Sequence, residues 1–111
     1  MPWFVYVAHF LGGAFLANAV PHIVNGISGR PFPSPFASPP GKGDSSPLVN
    51  VLWGAFNLGI GYLLVYHVAT FAMWRASDVA VVGVGALVLA LILGRGFGQV
   101  YAIRRAEQRT S

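Results

Sequence analysis

Three histidines and four asparagines lie within or beside long apolar stretches of this sequence, and these are the side chains that could do chemistry. They are His9, Asn18, His22, Asn25, Asn50, Asn57 and His67. Imidazole nitrogens can ligate a metal or carry a proton, and amides can bind a polar ligand or one another. Because such groups are costly in apolar surroundings, each of them is a candidate for function.

One interpretation of the histidines is a cofactor site. If the first two apolar stretches form antiparallel neighbouring helices, His9 falls at the depth of His67, and two facing histidines could hold a b-type haem. His22 belongs to another layer, level with Asn50, and no carboxylate lies within the stretches, which disfavours zinc or copper. Proton transfer through His22 or His67 is a further alternative. The main expectation is that these groups bind one another, hold the helices together and take no cofactor.

The motifs of hydrolytic enzymes are absent from the sequence. It contains no Gly-x-Ser-x-Gly or His-Glu-x-x-His, and its only acids are Asp44, Asp78 and Glu107. A pairing of Ser45 with His22 would have only Asp44 to orient the histidine. There is no cysteine, which excludes thiolate nucleophiles and cysteine metal sites. We therefore expect no enzymatic activity.

Three apolar stretches must position these side chains. They cover residues 3–24, 48–72 and 79–103, and each is long enough for a spanning helix, which needs about 20 residues. Only 9% of the 111 residues are charged, against about 25% in a soluble domain. The pattern predicts one all-α integral membrane domain with three transmembrane helices in an antiparallel bundle, followed by a polar, frayed tail over residues 104–111.

A cleavable signal peptide is the alternative for the first stretch. Ala17-Asn18-Ala19 has the small-x-small form of a cleavage site. No basic side chain precedes the apolar residues, so the charged region of a signal peptide is missing. We therefore favour a retained helix.

Residues 25–47 form the one long polar connection, and seven of the eight prolines lie in it or beside it. This Pro/Gly-rich loop cannot continue a helix and favours an extended path. Phe32 and Phe36 are expected to anchor in the headgroup layer, with docking to a partner's aromatic groove as the alternative. Ser46 before Pro47 is typical of a helix start.

A glycine-rich segment directly precedes the second helix and could contact a lipid headgroup or another anion. Its candidate residues are Gly41, Lys42, Gly43, Ser45 and Ser46. Backbone amides and a lysine at a helix start attract negative charge. The segment is not a Walker A loop, because glycine follows Lys42 where Ser or Thr is required. Ordinary turn chemistry explains the same residues.

Small residues recur along the second and third stretches and predict close helix packing. In the third stretch they occupy every fourth position, namely Ala86, Ala90, Gly94, Gly98 and Ala102. In the second, Gly54 and Gly61 share a face with Asn50 and Asn57, and we expect this face to meet the first helix. Small residues let helices approach closely in lipid. We therefore expect function by association, as a homo-oligomer or as an accessory subunit of a larger membrane complex.

The basic residues predict an orientation in the membrane. The net charge is +4, and five basic residues fall on one side of the predicted spans: Arg30, Lys42, Arg104, Arg105 and Arg109. Arg75 lies on the other side. The positive-inside rule then places the loop and the carboxyl terminus in the cytoplasm and the amino terminus outside. No basic stripe follows one face, so we expect no binding to nucleic acid.

The composition and short connections resemble those of small bacterial inner-membrane proteins, and no particular family is indicated. A second functional hypothesis is that the polar groups inside the spans handle a ligand. That hypothesis includes small-solute or proton transport and the binding of lipid or haem.

Overall fold

The computed structural model describes residues 2–68 and 70–110, and the chain is mostly helical. The helices are α1 (Trp3–Ile27), α2 (Pro47–Tyr66) and α3 (Ala76–Thr110). Each is long and apolar enough to cross a membrane, which confirms the prediction of three helices of spanning length. Ala69 in the expected second span and Ser111 in the expected tail lie outside the described residues.

Small residues bring α1 and α2 close together along their length. Gly12 of α1 lies against Val65 of α2, whereas Gly26 of α1 lies against Val51. The contacts therefore follow opposite chain directions in the two helices. Pro21 lies inside α1, and the helix continues beyond it to Ile27, because the neighbouring α2 supports that end.

The first half of α3 crosses α1 at two glycines. The backbone of Gly13 packs directly on the carbonyl of Val82, and the backbone of Gly85 packs on the carbonyl of Phe10. A side chain at either glycine would overlap the facing carbonyl oxygen. α3 is the least buried of the three helices: 11% of its most apolar window is buried, against 33% in α1 and 28% in α2, and beyond Gly85 none of its described residues is buried.

The Pro/Gly-rich loop folds against the bundle through a short antiparallel pair, β1 (Phe32–Pro33) and β2 (Asp44–Ser45). Phe32 is buried and its ring lies 4.6 Å from that of Phe97. Phe36 is 66% exposed and leans on Trp53. Phe36 therefore stays on the surface, while Phe32 attaches the loop to α3.

Two helix ends differ from the predicted bounds. α2 ends at Tyr66 rather than at residue 72, because the amides of His67 and Val68 both turn back to the carbonyl of Leu63. α3 continues to Thr110, so the predicted frayed tail is wrong. Arginine, glutamate and glutamine in that segment are good helix formers.

Arg104 attaches the loop to the end of α3. Its guanidinium donates to both carboxylate oxygens of Asp44, at 3.2 and 3.0 Å, and to the carbonyl of Lys42. A two-pronged bond of this kind fixes both distance and angle. The pair is partly exposed, so water and salt screen it.

We expect Arg104→Ala to lower the free energy of unfolding by about 0.5–1 kcal/mol at low salt, as for other exposed ion pairs. The loss should shrink at high salt. Arg105→Ala is the control, since Arg105 is exposed beside it on the same helix. Denaturant unfolding at two salt concentrations measures both variants. Equal losses for the two would contradict a specific role for Arg104.

Candidate functional site

Asn50 is the centre of a buried polar cluster at the loop end of the bundle. Its Nδ2 donates to the carbonyls of Phe32, Ser45 and Ser46, at 3.0, 3.2 and 3.1 Å. Its Oδ1 lies 2.7 Å from Nδ1 of His22. Because three carbonyls face the amide nitrogen, the amide oxygen is the acceptor, and His22 must carry a hydrogen on Nδ1. This cluster joins α1, α2 and the loop.

A second pair of amides lies deeper between α1 and α2. Asn18 Nδ2 donates to Asn57 Oδ1 at 2.9 Å, and Asn57 Nδ2 donates to the carbonyl of Trp53 at 2.8 Å. Gly54 and Gly61 flank Asn57, and both lie directly against α1. The glycines let the helices approach closely enough for the amides to reach one another.

These two polar pairs border a cleft of about 340 Å³ between the loop, α1, α2 and α3. Asn18 and His22 lie on one wall, with Phe97 of α3 opposite them in the lining. The ring of His22 makes edge contacts with Phe32, Trp53 and Phe97. The cleft therefore combines polar atoms on α1 with aromatic surfaces.

A separate polar cluster lies at the other end of the bundle, around Asp78 at the start of α3. Its Oδ2 accepts from the amide of Ala72 at 3.0 Å and from Nε of Arg75 at 2.8 Å. Nδ1 of His9 is 3.9 Å from Oδ1 of Asp78, too far for a hydrogen bond. Among the described residues, neither nitrogen of His9 nor Oδ1 of Asp78 has a hydrogen-bond partner.

Asp78 lies just outside the predicted third stretch, so no carboxylate was expected within the apolar layers. The structure instead buries it beside His9. A signal was present: Asp78 directly precedes the third stretch, at the end of the bundle where His9 lies. His9 of α1 and Asp78 of α3 can come this close because the two helices cross closely at Gly13 and Gly85.

His67 has surroundings different from those of His9. It is the exposed C-cap of α2 and lies 5.2 Å from the ring of Tyr62. His9 is fully buried, and its ring contacts Phe71 edge-on. The two imidazoles therefore lie in different surroundings, one enclosed in the bundle and one at its surface. No cluster of three or more His, Asp or Glu side chains among the described residues could hold a metal ion.

Asn25 and the glycine-rich segment serve local structure. Asn25 Nδ2 donates to the carbonyl of Pro21, and its Oδ1 accepts from Nε of Arg30, so this amide completes the end of α1. In the glycine-rich segment, the hydroxyl of Ser45 bonds to that of Ser34 at 2.5 Å, and the hydroxyl of Ser46 caps α2.

The remaining residues of the predicted anion contact lie in the loop itself. Gly43 packs on the carbonyl of Ser38, and Gly41 has a positive φ that a turn requires. Lys42 is exposed. Of the five predicted residues, Gly41, Lys42 and Ser46 are therefore exposed, and the hydroxyl of Ser46 is engaged in the cap of α2.

The four-spaced row on α3 is divided between two environments. Ala86 lies at the crossing beside Gly13. Ala90, Gly94, Gly98 and Ala102 are exposed, and a Cβ added at Gly94 or Gly98 would meet no atom within 4 Å. At Gly94 and Gly98 the row therefore has open space beside it within the described chain.

Three apolar helices with inward-facing polar layers define a small multi-pass helical membrane protein. Comparison with protein-family models, with curated proteins and with solved structures gives no match. Function is therefore inferred from the geometry of this chain.

Proposed function

We propose that this protein works by helix association in the membrane, through the exposed face of α3 that carries Ala90, Gly94, Gly98 and Ala102. Its partner is either a second copy of the chain or a helix of a larger membrane complex, to which it belongs as an accessory subunit. The observation that supports this is the open, small-residue surface on the least buried of the three helices.

The course of the row around α3 explains how it can serve a partner. Residues four apart drift by about 40° around a helix with 3.6 residues per turn. From Ala86 to Ala102 the row therefore turns by about 160°. It begins at the contact with α1 and then winds away, so its later members point out of the bundle.

Association in lipid depends on close packing, because acyl chains are as apolar as leucine. Glycines and alanines leave a shallow groove into which a partner helix can pack, and they lose little side-chain entropy on contact. The row consists of small residues and has open space at Gly94 and Gly98. It therefore allows both close packing and a small loss of side-chain entropy. The polar side chains inside the bundle are largely engaged with one another, which supports a structural role for them.

We further propose that the three helices form an antiparallel bundle in a bacterial inner membrane. The positive-inside rule supports a cytoplasmic loop and carboxyl terminus, with the amino terminus outside. The ion pair between Arg104 and Asp44 is consistent with the loop and the end of α3 lying on the same side of the membrane.

Gly94→Leu combined with Gly98→Leu should abolish association, because two bulky side chains fill the groove. The control is Gly59→Leu on α2, the same change at another helical position with open space around it. Light scattering in mild detergent measures the mass of the assembly, and cross-linking in membranes identifies its partner.

A wild-type assembly that the double variant reduces to a monomer, while Gly59→Leu leaves it intact, supports a homo-oligomer. Loss of a co-purifying membrane protein supports the accessory-subunit form. If the wild-type mass and the recovered partners are unchanged in the double variant, α3 does not act by association through this row.

A further inference from the structure

Two residues that line the cleft, His22 and Asn18, each have a hydrogen-bond acceptor that the protein leaves unused. His22 Nδ1 carries the hydrogen bound to Asn50, so Nε2 of a neutral imidazole is an acceptor. Asn18 donates through Nδ2 to Asn57, which leaves its Oδ1 as an acceptor. Neither Nε2 of His22 nor Oδ1 of Asn18 has a hydrogen-bond partner among the described residues.

Both acceptors are the ends of directed hydrogen-bond chains. One chain begins at loop carbonyls, passes through the Asn50 amide and ends at His22. The other begins at the Trp53 carbonyl, passes through the Asn57 amide and ends at Asn18. Since each amide has only one satisfactory orientation, neither chain can reverse to present a donor. The two ends lie one helical turn apart on α1, on the same face.

The other lining residues restrict what could bind to these acceptors. No Asp, Glu, Lys or Arg lines the cleft, so a charged ligand would lose its hydration without gaining a counter-ion. The aromatic rings of Phe97 and Trp53 are part of the lining, and the indole Nε1 of Trp53, a donor, has no hydrogen-bond partner among the described residues. Such surfaces favour a planar ring that can pack face-on or edge-on.

We propose that this cleft binds an uncharged aromatic alcohol of the phenol class. Its hydroxyl donates to Nε2 of His22 or Oδ1 of Asn18, and its ring lies against Phe97. His22 is 2% exposed, so the bond forms in surroundings where an unpaired polar group is costly. Because the site lies within one chain, it is independent of association through α3.

The experiment titrates phenol into the full-length protein, labelled with ¹⁵N-histidine, in detergent at about pH 8, above the ordinary histidine range. The His22 signals are assigned with His22→Gln. Phenol should shift the Nε2 signal of His22 saturably, because that atom gains a hydrogen bond. Anisole has a similar ring and no donor, and it should bind at least about fivefold more weakly, as the loss of one hydrogen bond implies.

A cleft-filling variant tests the position of the ligand without altering either hydrogen-bond chain. Leu93 lines the cleft, so Leu93→Trp should weaken phenol binding at least about fivefold. Leu91→Trp is the control, since Leu91 is 65% exposed on the same helix, and it should leave binding unchanged. Circular dichroism establishes that both variants retain their helices.

Three results would overturn the proposal. A shift that grows linearly and equally with phenol and anisole would show partition into detergent only. An Nε2 signal of His22 that does not move with phenol would show that the cleft takes no such ligand. Equal saturable binding to both tryptophan variants would exclude the cleft as the site.

Discussion

Gly13→Ala should destabilise the bundle by about 2–3 kcal/mol, although alanine normally favours a helix. A Cβ at this position would overlap the carbonyl oxygen of Val82 and press on the amide of Ala86. These are backbone atoms of α3, which cannot rotate away as a side chain could. The two helices must therefore separate. Unfolding in mixed detergent micelles, followed by circular dichroism, measures the loss.

Gly83→Ala is the matched control for this prediction. Gly83 lies on α3 with open space around it, so alanine there should stabilise the helix by about 0.5–1 kcal/mol through lower conformational entropy of the unfolded chain. Gly85→Ala should behave like Gly13→Ala, because a Cβ at Gly85 would overlap the carbonyl oxygen of Phe10. A stabilising effect at Gly13 or Gly85 equal to that at Gly83 would refute the close crossing of α1 and α3.

Asn50→Leu should release the Pro/Gly-rich loop and cost about 3–4 kcal/mol of stability, the sum of several lost buried hydrogen bonds. Leucine removes the donors that bind three carbonyls and leaves Nδ1 of His22 without its acceptor. The loop then opens more often. Trypsin cleavage after Lys42 should become at least about tenfold faster, since about 1.4 kcal/mol of opening free energy corresponds to tenfold.

Asn57→Leu separates loss of the loop anchor from general destabilisation. Asn57 is equally buried on the same helix and bonds to Asn18, with no hydrogen bond to the loop. Its replacement should lower the free energy of unfolding and leave native-state cleavage after Lys42 near the wild-type rate. If both variants were cleaved equally fast, Asn50 would have no special role in holding the loop.

Much of the helical layout follows from local pattern. The start of α2 was predicted from Ser46 and Pro47, and Ser46 does cap that helix. Helix ends without such signals were predicted less well. α2 stops at Tyr66 because the segment that follows it is held by hydrogen bonds that involve Leu63, Arg75 and Asp78. Nothing in residues 67–72 indicates that these residues are the partners.

For the polar side chains too, one feature could be predicted from the sequence and another could not. That His22, Asn18, Asn50 and Asn57 would turn inward could be expected, because lipid offers them no partners. Their pairing could not, since it depends on the rotation of α1 against α2. The row on α3 was assigned by spacing alone as one packing surface. In the structure its drift around the helix divides it between α1 and the exterior.

Composition and hydrophobic length alone determined that the chain has three helices long and apolar enough to span a membrane, because a bilayer selects apolar segments of about 20 residues whatever their neighbours. Only the tertiary structure decided that His9 meets Asp78, that Phe32 packs on Phe97, and that the loop is held by Asn50. Each of these contacts joins residues far apart in the chain. Such contacts depend on how glycines let helices cross, which a one-dimensional pattern does not specify.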